Sequence, residues 1–356
     1  MILKNGKNII NGGEPYIVAE LNSSHNGKVD IARKMIDVAK ECGCDAVKFQ
    51  SWSEESLYCQ DYYEQNPMAK RIVRSFSLKP EELLELSRYC NEIGIDFSST
   101  PYCNEEVDFL IERCKASFVK VASMDINNYS YLRYIAKKNV PIILSTGMAT
   151  VEEIEKAVTE IENVGNRNIC ILHCVSLYPV EAQFVNLNNM VMLKERFPNY
   201  AVGYSDHTIG NEIACASIGL GAALLEKHFT LNNKKIGWDN QMATEPEDMK
   251  ELVFRCHRVH KALGMYERKL TQDELKQQQK MRRSIVANID MTKGHMIKES
   301  DIIAKRPGDG IAVSEYDKVI GQILMKDIQK DQLILDEFLC EAKGTDNKNE
   351  CIIGNA

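Results

Sequence analysis

The feature that most constrains this chain is an alternation. Short apolar runs bounded by turns recur at Tyr16–Leu21, Asp45–Gln50, Ile95–Thr100, Ser117–Val121, Pro141–Thr146, Asn168–Cys174, Ala201–Ser205 and Ala223–His228. Between them lie longer stretches with apolar residues three and four apart, such as Ile31-Met35-Val38 and Ile154-Ala157-Val158-Ile161. That spacing lets a helix lay one face on a sheet. Pro80 followed by Glu81 and Glu82 predicts a helix start, because an early proline loses no needed hydrogen bond and the acids favour the dipole. Thr150 ahead of Glu152 and Glu153 predicts another, with Thr150 as its cap.

Eight strand–helix units in about 260 residues suit a parallel (β/α)8 TIM barrel, usually about 250 residues long. A doubly wound open sheet is the alternative reading of the same alternation. The placement of polar residues favours the barrel. Residues able to do chemistry close most of the strands: Glu20, Lys48 with Gln50, Thr100, Lys120 with Ser123, Ser145, His173, Ser205 with His207, and His228. In a barrel the C-terminal strand ends converge on one mouth. An open sheet would spread these residues along a line.

The pattern ends near residue 265, so residues 1–265 are expected to form the barrel. Residues 266–283, with three consecutive glutamines, read as a linker with some helix. Residues 284–341 carry short strand-like runs and turns and predict a small β-rich domain. The polar tail 342–356 is expected to be disordered.

The net charge of -7 argues against nucleic acid as a partner, since phosphate-backbone binders usually carry a basic excess. No run of about 18 apolar residues exists, so no membrane span is expected. The N-terminal MILKNGKNII is too short and polar for a signal peptide, which points to the cytoplasm. Most of the twelve cysteines should then be reduced thiols. No CxxC pair exists, which argues against a structural zinc site.

His207 and His228 are one strand–helix–strand repeat apart, at the ends of the last two predicted strands. Side chains so placed would project at neighbouring points of the mouth. Two neutral imidazoles can hold Mn²⁺, Fe²⁺, Co²⁺ or Zn²⁺, with water or substrate oxygens completing the shell. Either alone could equally be a hydrogen-bonded structural histidine. Lys48 and Lys120 lie inside apolar strands, a costly place unless the charge meets a partner. A bound phosphate or carboxylate would serve, and Thr100, Ser123, Ser145 and Ser205 add hydroxyls. Glu20, Asp125 and Asp239 are carboxylates at or just past strand ends and could move protons or orient hydroxyls. Helix capping is the competing role, above all for Asp125. His25 sits in a loop and fits either kind of role.

Taken in order, the motifs resemble one family. They are Ala19-Glu20 with His25-Asn26-Gly27, Val47-Lys48-Phe49-Gln50, Ser99-Thr100-Pro101, Val119-Lys120-Val121-Ala122-Ser123, Leu144-Ser145-Thr146-Gly147-Met148, His173-Cys174 through Tyr178-Pro179, Ser205-Asp206-His207-Thr208, Glu226-Lys227-His228-Phe229 and Lys305-Arg306-Pro307-Gly308. The chain resembles the sialic acid (nonulosonate) synthases, which make N-acetylneuraminic, legionaminic or pseudaminic acid. The resemblance implies a barrel followed by a domain similar to type III antifreeze proteins (a SAF domain). It also implies a domain-swapped homodimer. The implied reaction condenses phosphoenolpyruvate with an N-acetylated amino sugar, N-acetylmannosamine or a 2,4-diacetamido-trideoxyhexose, with release of phosphate.

The same resemblance assigns roles. His207 and His228 match the ligands of a divalent metal, Mn²⁺ first, with Mg²⁺ or Co²⁺ as alternatives. Lys48, Thr100, Lys120, Ser123, Ser145 and Ser205 match residues that hold phosphoenolpyruvate. Gln50, Tyr178 and Asp239 match sugar contacts, and Arg306 matches an arginine reaching the sugar from the partner chain. Glu20 and Asp125 are both left as candidate bases. Asn22, Ser24, Asp125, Ser176 and the segment Gly237–Met242 depart from the family pattern, all around the sugar end. Two other readings compete. One is a different phosphoenolpyruvate-dependent synthase of 3-deoxy sugar acids, against which the Lys305–Gly310 motif argues. The other is a non-catalytic barrel that binds sugar phosphates.

Overall fold

The computed structural model describes residues 1–341. The expected disordered tail, 342–356, lies outside the described residues. The chain divides into two units, Met1–Gly264 and a second beginning at Met265.

The first unit is a closed parallel barrel. Its strands are β1 (Tyr16–Glu20), β2 (Ala46–Gln50), β3 (Asp96–Thr100), β4 (Val119–Val121), β5 (Ile142–Ser145), β6 (Ile169–Cys174), β7 (Ala201–Asp206) and β8 (Leu224–His228), each paired with the next and β8 with β1. All eight apolar runs became strands, with ends shifted by a residue or two. The open sheet is excluded by the β1–β8 pairing, which sets Glu20 beside His228 on one side and beside Lys48 on the other.

Helices follow the strands in order. They are α1 (Val29–Glu41), α2 (Gln60–Gln65), α3 (Pro67–Phe76), α4 (Pro80–Ile93), α5 (Asn104–Asp108), α6 (Tyr129–Lys137), α7 (Val151–Glu162), α8 (Ala182–Val185), α9 (Asn188–Arg196), α10 (Glu212–Gly219) and α11 (Pro246–Leu263). Both predicted helix starts are present. Pro80 opens α4, and the Thr150 hydroxyl accepts from the Glu153 amide at the head of α7.

Strand parity sorts the side chains. One alternate set, including Tyr16, Val18, Phe118, Ile143, Leu172 and Leu224, packs into an apolar plug inside the barrel. The other set, including Ile17, Val47, Phe49, Val119, Ile171 and Leu225, packs under the helices. Continuing the inner set toward the strand ends gives Glu20, Lys48, Gln50, Ser98, Thr100, Lys120, Ser145, Cys174, Ser205, Glu226 and His228. The floor of the mouth is therefore apolar and its upper layer polar.

The second unit begins with a helix, α12 (Gln272–Met281), capped by Thr271. The expected linker is thus largely helical. It is followed by antiparallel pairs β9 (Ser284–Ala287) with β10 (Ile302–Lys305) and β11 (Ile323–Leu324) with β12 (Leu339–Cys340). Ile285, Ile297, Ile302, Leu324, Ile328 and Ile334 form its core. The Lys305–Gly310 loop is held by Ser284, whose hydroxyl donates to Pro307 O (2.8 Å) and accepts from the Gly310 amide (2.9 Å).

Candidate active site

The barrel mouth holds a cavity of about 340 Å³. Glu20, Lys48, Gln50, Thr100, Lys120, Ser123, Ser145, Tyr178, Ser205, His207, His228 and Asp239 all line it. Two expected site residues do not. Asp125 sits in a short 3₁₀ turn after β4, accepts from the Asn128 side chain (3.3 Å) and stays outside the lining. It caps no helix: the next one, α6, has Asn128 at its N-cap and no side-chain cap hydrogen bond. Arg306 is an exposed residue of the second unit.

The two lysines have partners that sequence reasoning did not assign. Lys48 forms an ion pair with Glu20 and lies 3.8 Å from Glu226, and Lys120 lies 3.7 Å from the same Glu226. All four are buried. Ser205 donates to Glu226 (2.9 Å), Lys48 donates to Thr100 (3.1 Å) and Lys120 donates to Ser145 (2.6 Å). The result is a buried cluster of two cations and two anions, stitched by three hydroxyls.

Burial, first of all, raises the Glu20 carboxyl, to about 7, against the pull of Lys48. Burial would also raise Glu226, but Lys120 and Lys48 more than offset it and hold that carboxyl down. Burial lowers Lys120 below the usual lysine range; it would lower Lys48 too, but Glu20 and Glu226 together more than offset it and keep Lys48 above that range. Glu226 could have been found from its parity with His228, two residues on along the same strand face.

The imidazoles of His207 and His228 stand 5.4 Å apart between ring centres. His207 Nδ1 donates to Val175 O (2.7 Å), which leaves Nε2 as the unprotonated nitrogen. Burial lowers both imidazoles below the usual histidine range, and His207 lowers His228 further. Neutral, oriented imidazoles are the form that binds a divalent metal. The donor set fits such an ion with two protein ligands and the rest of its shell from water or substrate. No cage of three or more His, Cys, Asp or Glu side chains occurs among the described residues.

Two other histidines, His25 and His173, make local contacts. His25 is buried, accepts from the Gly27 amide (3.1 Å) and packs on Phe49, and burial pushes it down to about 4. His173 points to the helix side, where its Nε2 meets Val185 O at 2.7 Å. Ten cysteines, from Cys42 to Cys256, are free thiols. No helix among the described residues is long and apolar enough to cross a membrane.

The outer part of the cavity is built by loops. Trp52, Leu57 and Tyr58 come from the segment between β2 and α4, Tyr102 follows β3, and Trp238 follows β8. The ring centres of Trp52 and Trp238 lie 5.3 Å apart. Asp239 accepts from the Asn22 amide (2.5 Å), and burial raises its carboxyl to about 6. Tyr178 lies over His207 with ring centres 4.2 Å apart.

Residues 35–268 match the NeuB family and residues 282–339 match the SAF domain. The chain belongs to the NeuB family. It is 37% identical over 329 residues to an N,N'-diacetyllegionaminic acid synthase from Campylobacter jejuni, spanning 89% of this chain and 98% of that one. It is 32% identical over 341 residues to the N-acetylneuraminate-9-phosphate synthase of Homo sapiens, spanning 93% and 94%. Among solved structures it resembles an N-acetylneuraminic acid synthetase from Leptospira borgpetersenii, with a TM-score of 0.69 and 30% identity over 75% of this chain and 90% of that one. The barrel and the SAF domain of this NeuB-family chain are thus those expected from its motifs.

Proposed function

We propose that this protein is a nonulosonate synthase, which joins phosphoenolpyruvate to the aldehyde of an N-acylated amino sugar and releases phosphate. The observation that carries the reading is the convergence, in one cavity at the barrel mouth, of Lys48, Lys120 and four hydroxyls beside the His207–His228 pair. Synthase relatives of the NeuB family support the same chemistry.

Lys48 and Lys120 would hold the anionic ends of phosphoenolpyruvate, with Thr100, Ser123, Ser145 and Ser205 completing the cage. This is catalysis chiefly by positioning and preorganised charge. Gln50, Tyr178 and Asp239 would orient the sugar. A divalent ion, Mn²⁺ first, held by His207 and His228 would act as a Lewis acid on the sugar aldehyde. After the carbon–carbon bond forms, water must add to the phosphate-bearing carbon and give up a proton. Glu20 lies in the cavity with a carboxyl titrating near neutrality, the range a general base requires. Asp125 lies outside the lining, so Glu20 is the base of this mechanism.

The assembly is a swapped homodimer acting in the cytoplasm. The rim of the mouth supports this: Met124, Met148 and Ile209 are 57%, 73% and 70% exposed, an apolar fringe that a second copy would cover. Arg306 of the second copy would then complete the sugar site. The deciding assay is phosphate release from phosphoenolpyruvate by the full-length protein with Mn²⁺ and a panel of N-acetylated hexosamines. Absence of release with every sugar in the panel would refute the enzyme.

A further inference from the structure

Resting on that synthase reading, we infer that Lys227 is a positioning residue: it locks together the strand ends that carry His207 and His228 and so sets the placement of the two imidazoles. The argument starts from strand parity. Glu226 and His228 of β8 face the mouth, so Lys227 between them faces the helix layer. On β7, Ser205 faces the mouth and Asp206 faces the helix layer in the same way. Asp206 and Lys227 are paired positions of the β7–β8 ladder, and each directly precedes one of the two histidines.

Both side chains are fully buried, in a layer that otherwise holds Val202, Tyr204, Leu225 and Phe229. An ammonium has three protons to donate. Lys227 places them on Asp206 Oδ2 (2.6 Å), Thr208 O (2.7 Å) and Gly210 O (2.9 Å). The second carboxylate oxygen, Asp206 Oδ1, accepts from the Thr208 amide (2.9 Å) and the Tyr204 hydroxyl (3.0 Å). The backbone from 206 to 210 is thus wrapped around one cation, and His207 lies within the wrapped segment.

His207 needs such a support. It stands one residue past the last ladder pair of β7 and β8, where the sheet no longer holds the chain. Its carbonyl accepts from the Val180 amide (3.0 Å), and its Nδ1 donates to Val175 O (2.7 Å). Those bonds tie it to the loop after β6. The Lys227 clamp ties it to β8, one residue before His228.

Stability alone does not account for the pair. Burying two charges costs about what their attraction returns, and apolar residues of similar volume often do as well or better. Apolar residues could not hold the Thr208 and Gly210 carbonyls in place. Groups that orient metal ligands in this manner govern metal affinity.

Lys227→Met alone leaves Asp206 buried and unpaired and risks unfolding the chain. The double variant Asp206→Asn with Lys227→Met removes both charges and keeps an acceptor for the Thr208 amide. Calorimetric titration of the metal-free full-length proteins, with Mn²⁺ and separately with phosphoenolpyruvate, measures both affinities. The Mn²⁺ dissociation constant should rise about 10- to 100-fold in the double variant, while that of phosphoenolpyruvate changes by less than about twofold. Histidine side-chain NMR without metal, with His207→Ala to assign the ring, should show His207 leaving its single Nδ1–H form. Unchanged Mn²⁺ binding in the folded double variant would overturn the inference. Equal weakening of Mn²⁺ and phosphoenolpyruvate would also overturn it, because general loosening of the mouth explains that result. A parent protein that binds no Mn²⁺ would instead overturn the metal in the synthase reading. The His207 ring then decides alone, and an unchanged ring in the double variant would overturn the clamp.

Discussion

Glu226→Gln isolates the charge balance of the cage. The substitution keeps the shape and the hydrogen bond accepted from Ser205, and removes one negative charge from between Lys48 and Lys120. With an effective dielectric constant of about 20, each contact near 3.7 Å is worth about 4 kcal/mol. Glu226 also stops incurring its own burial cost, several kcal/mol, so the net loss should match that of a broken buried pair, about 3–5 kcal/mol. At about 2 °C per kcal/mol for a unit of this size, the melting temperature should fall by about 6–10 °C. Phosphoenolpyruvate would supply the missing negative charge. Its stabilising effect in a thermal melt should therefore be larger on the variant than on the parent. Differential scanning calorimetry without metal, with and without phosphoenolpyruvate, reads both effects. A fall below 2 °C, or equal stabilisation of the two proteins by phosphoenolpyruvate, would refute the charge-balance reasoning.

Chelation with EDTA should abolish phosphate release and Mn²⁺ should restore it; in His207→Ala and His228→Ala the restoration should fail. The Asp239 carboxyl titrates near 6 in the folded chain against an ordinary 3.8, so the folded state takes up a proton between those values that the unfolded state does not. Folding stability therefore rises as pH falls through that window, and Asp239→Asn should be more stable than the parent at pH 7.5 by up to about 3 kcal/mol. Chemical denaturation at pH 7.5 and pH 4 checks both signs. A Cβ on Gly147 would stand 2.2 Å from the Ser176 hydroxyl and 2.8 Å from that of Ser123. Gly147→Ala should displace Ser123 and raise the phosphoenolpyruvate KM about tenfold, the worth of one good hydrogen bond, as steady-state kinetics would show. Arg306→Ala should raise the sugar KM. Co-expressed Arg306→Ala and His207→Ala chains should recover a sugar KM near that of the parent, which neither homodimer shows and an unswapped assembly could not produce.

The strands of this protein were legible because a parallel barrel buries them on both faces and leaves long apolar runs with turns between them. Their parity was equally available: Glu20, Lys48, Lys120, Ser145, Ser205 and His228 all fall on the inner set. Glu226 belongs to the same set, yet it was passed over because a carboxylate between apolar leucines and a lysine carries no signal of which charges it will face. Only barrel closure, joining β8 to β1, decided that Glu20 and Glu226 share Lys48.

Residues beyond the strand ends were harder, since a loop side chain is placed by what it packs against and not by a period. Asp125 and Asp239 look alike in sequence, each a carboxylate just past a strand. The turn after β4 keeps Asp125 out of the cavity, while Asn22 fixes Asp239 at its edge. The aromatic wall was invisible for the same reason, because Trp52, Tyr102 and Trp238 follow three different strands. The sequence alone determined the strand–helix order, the inner set of side chains and the histidine spacing, all fixed by local periodicity. The tertiary structure decided which loop residues meet above them, because that meeting depends on contacts among segments far apart in the chain.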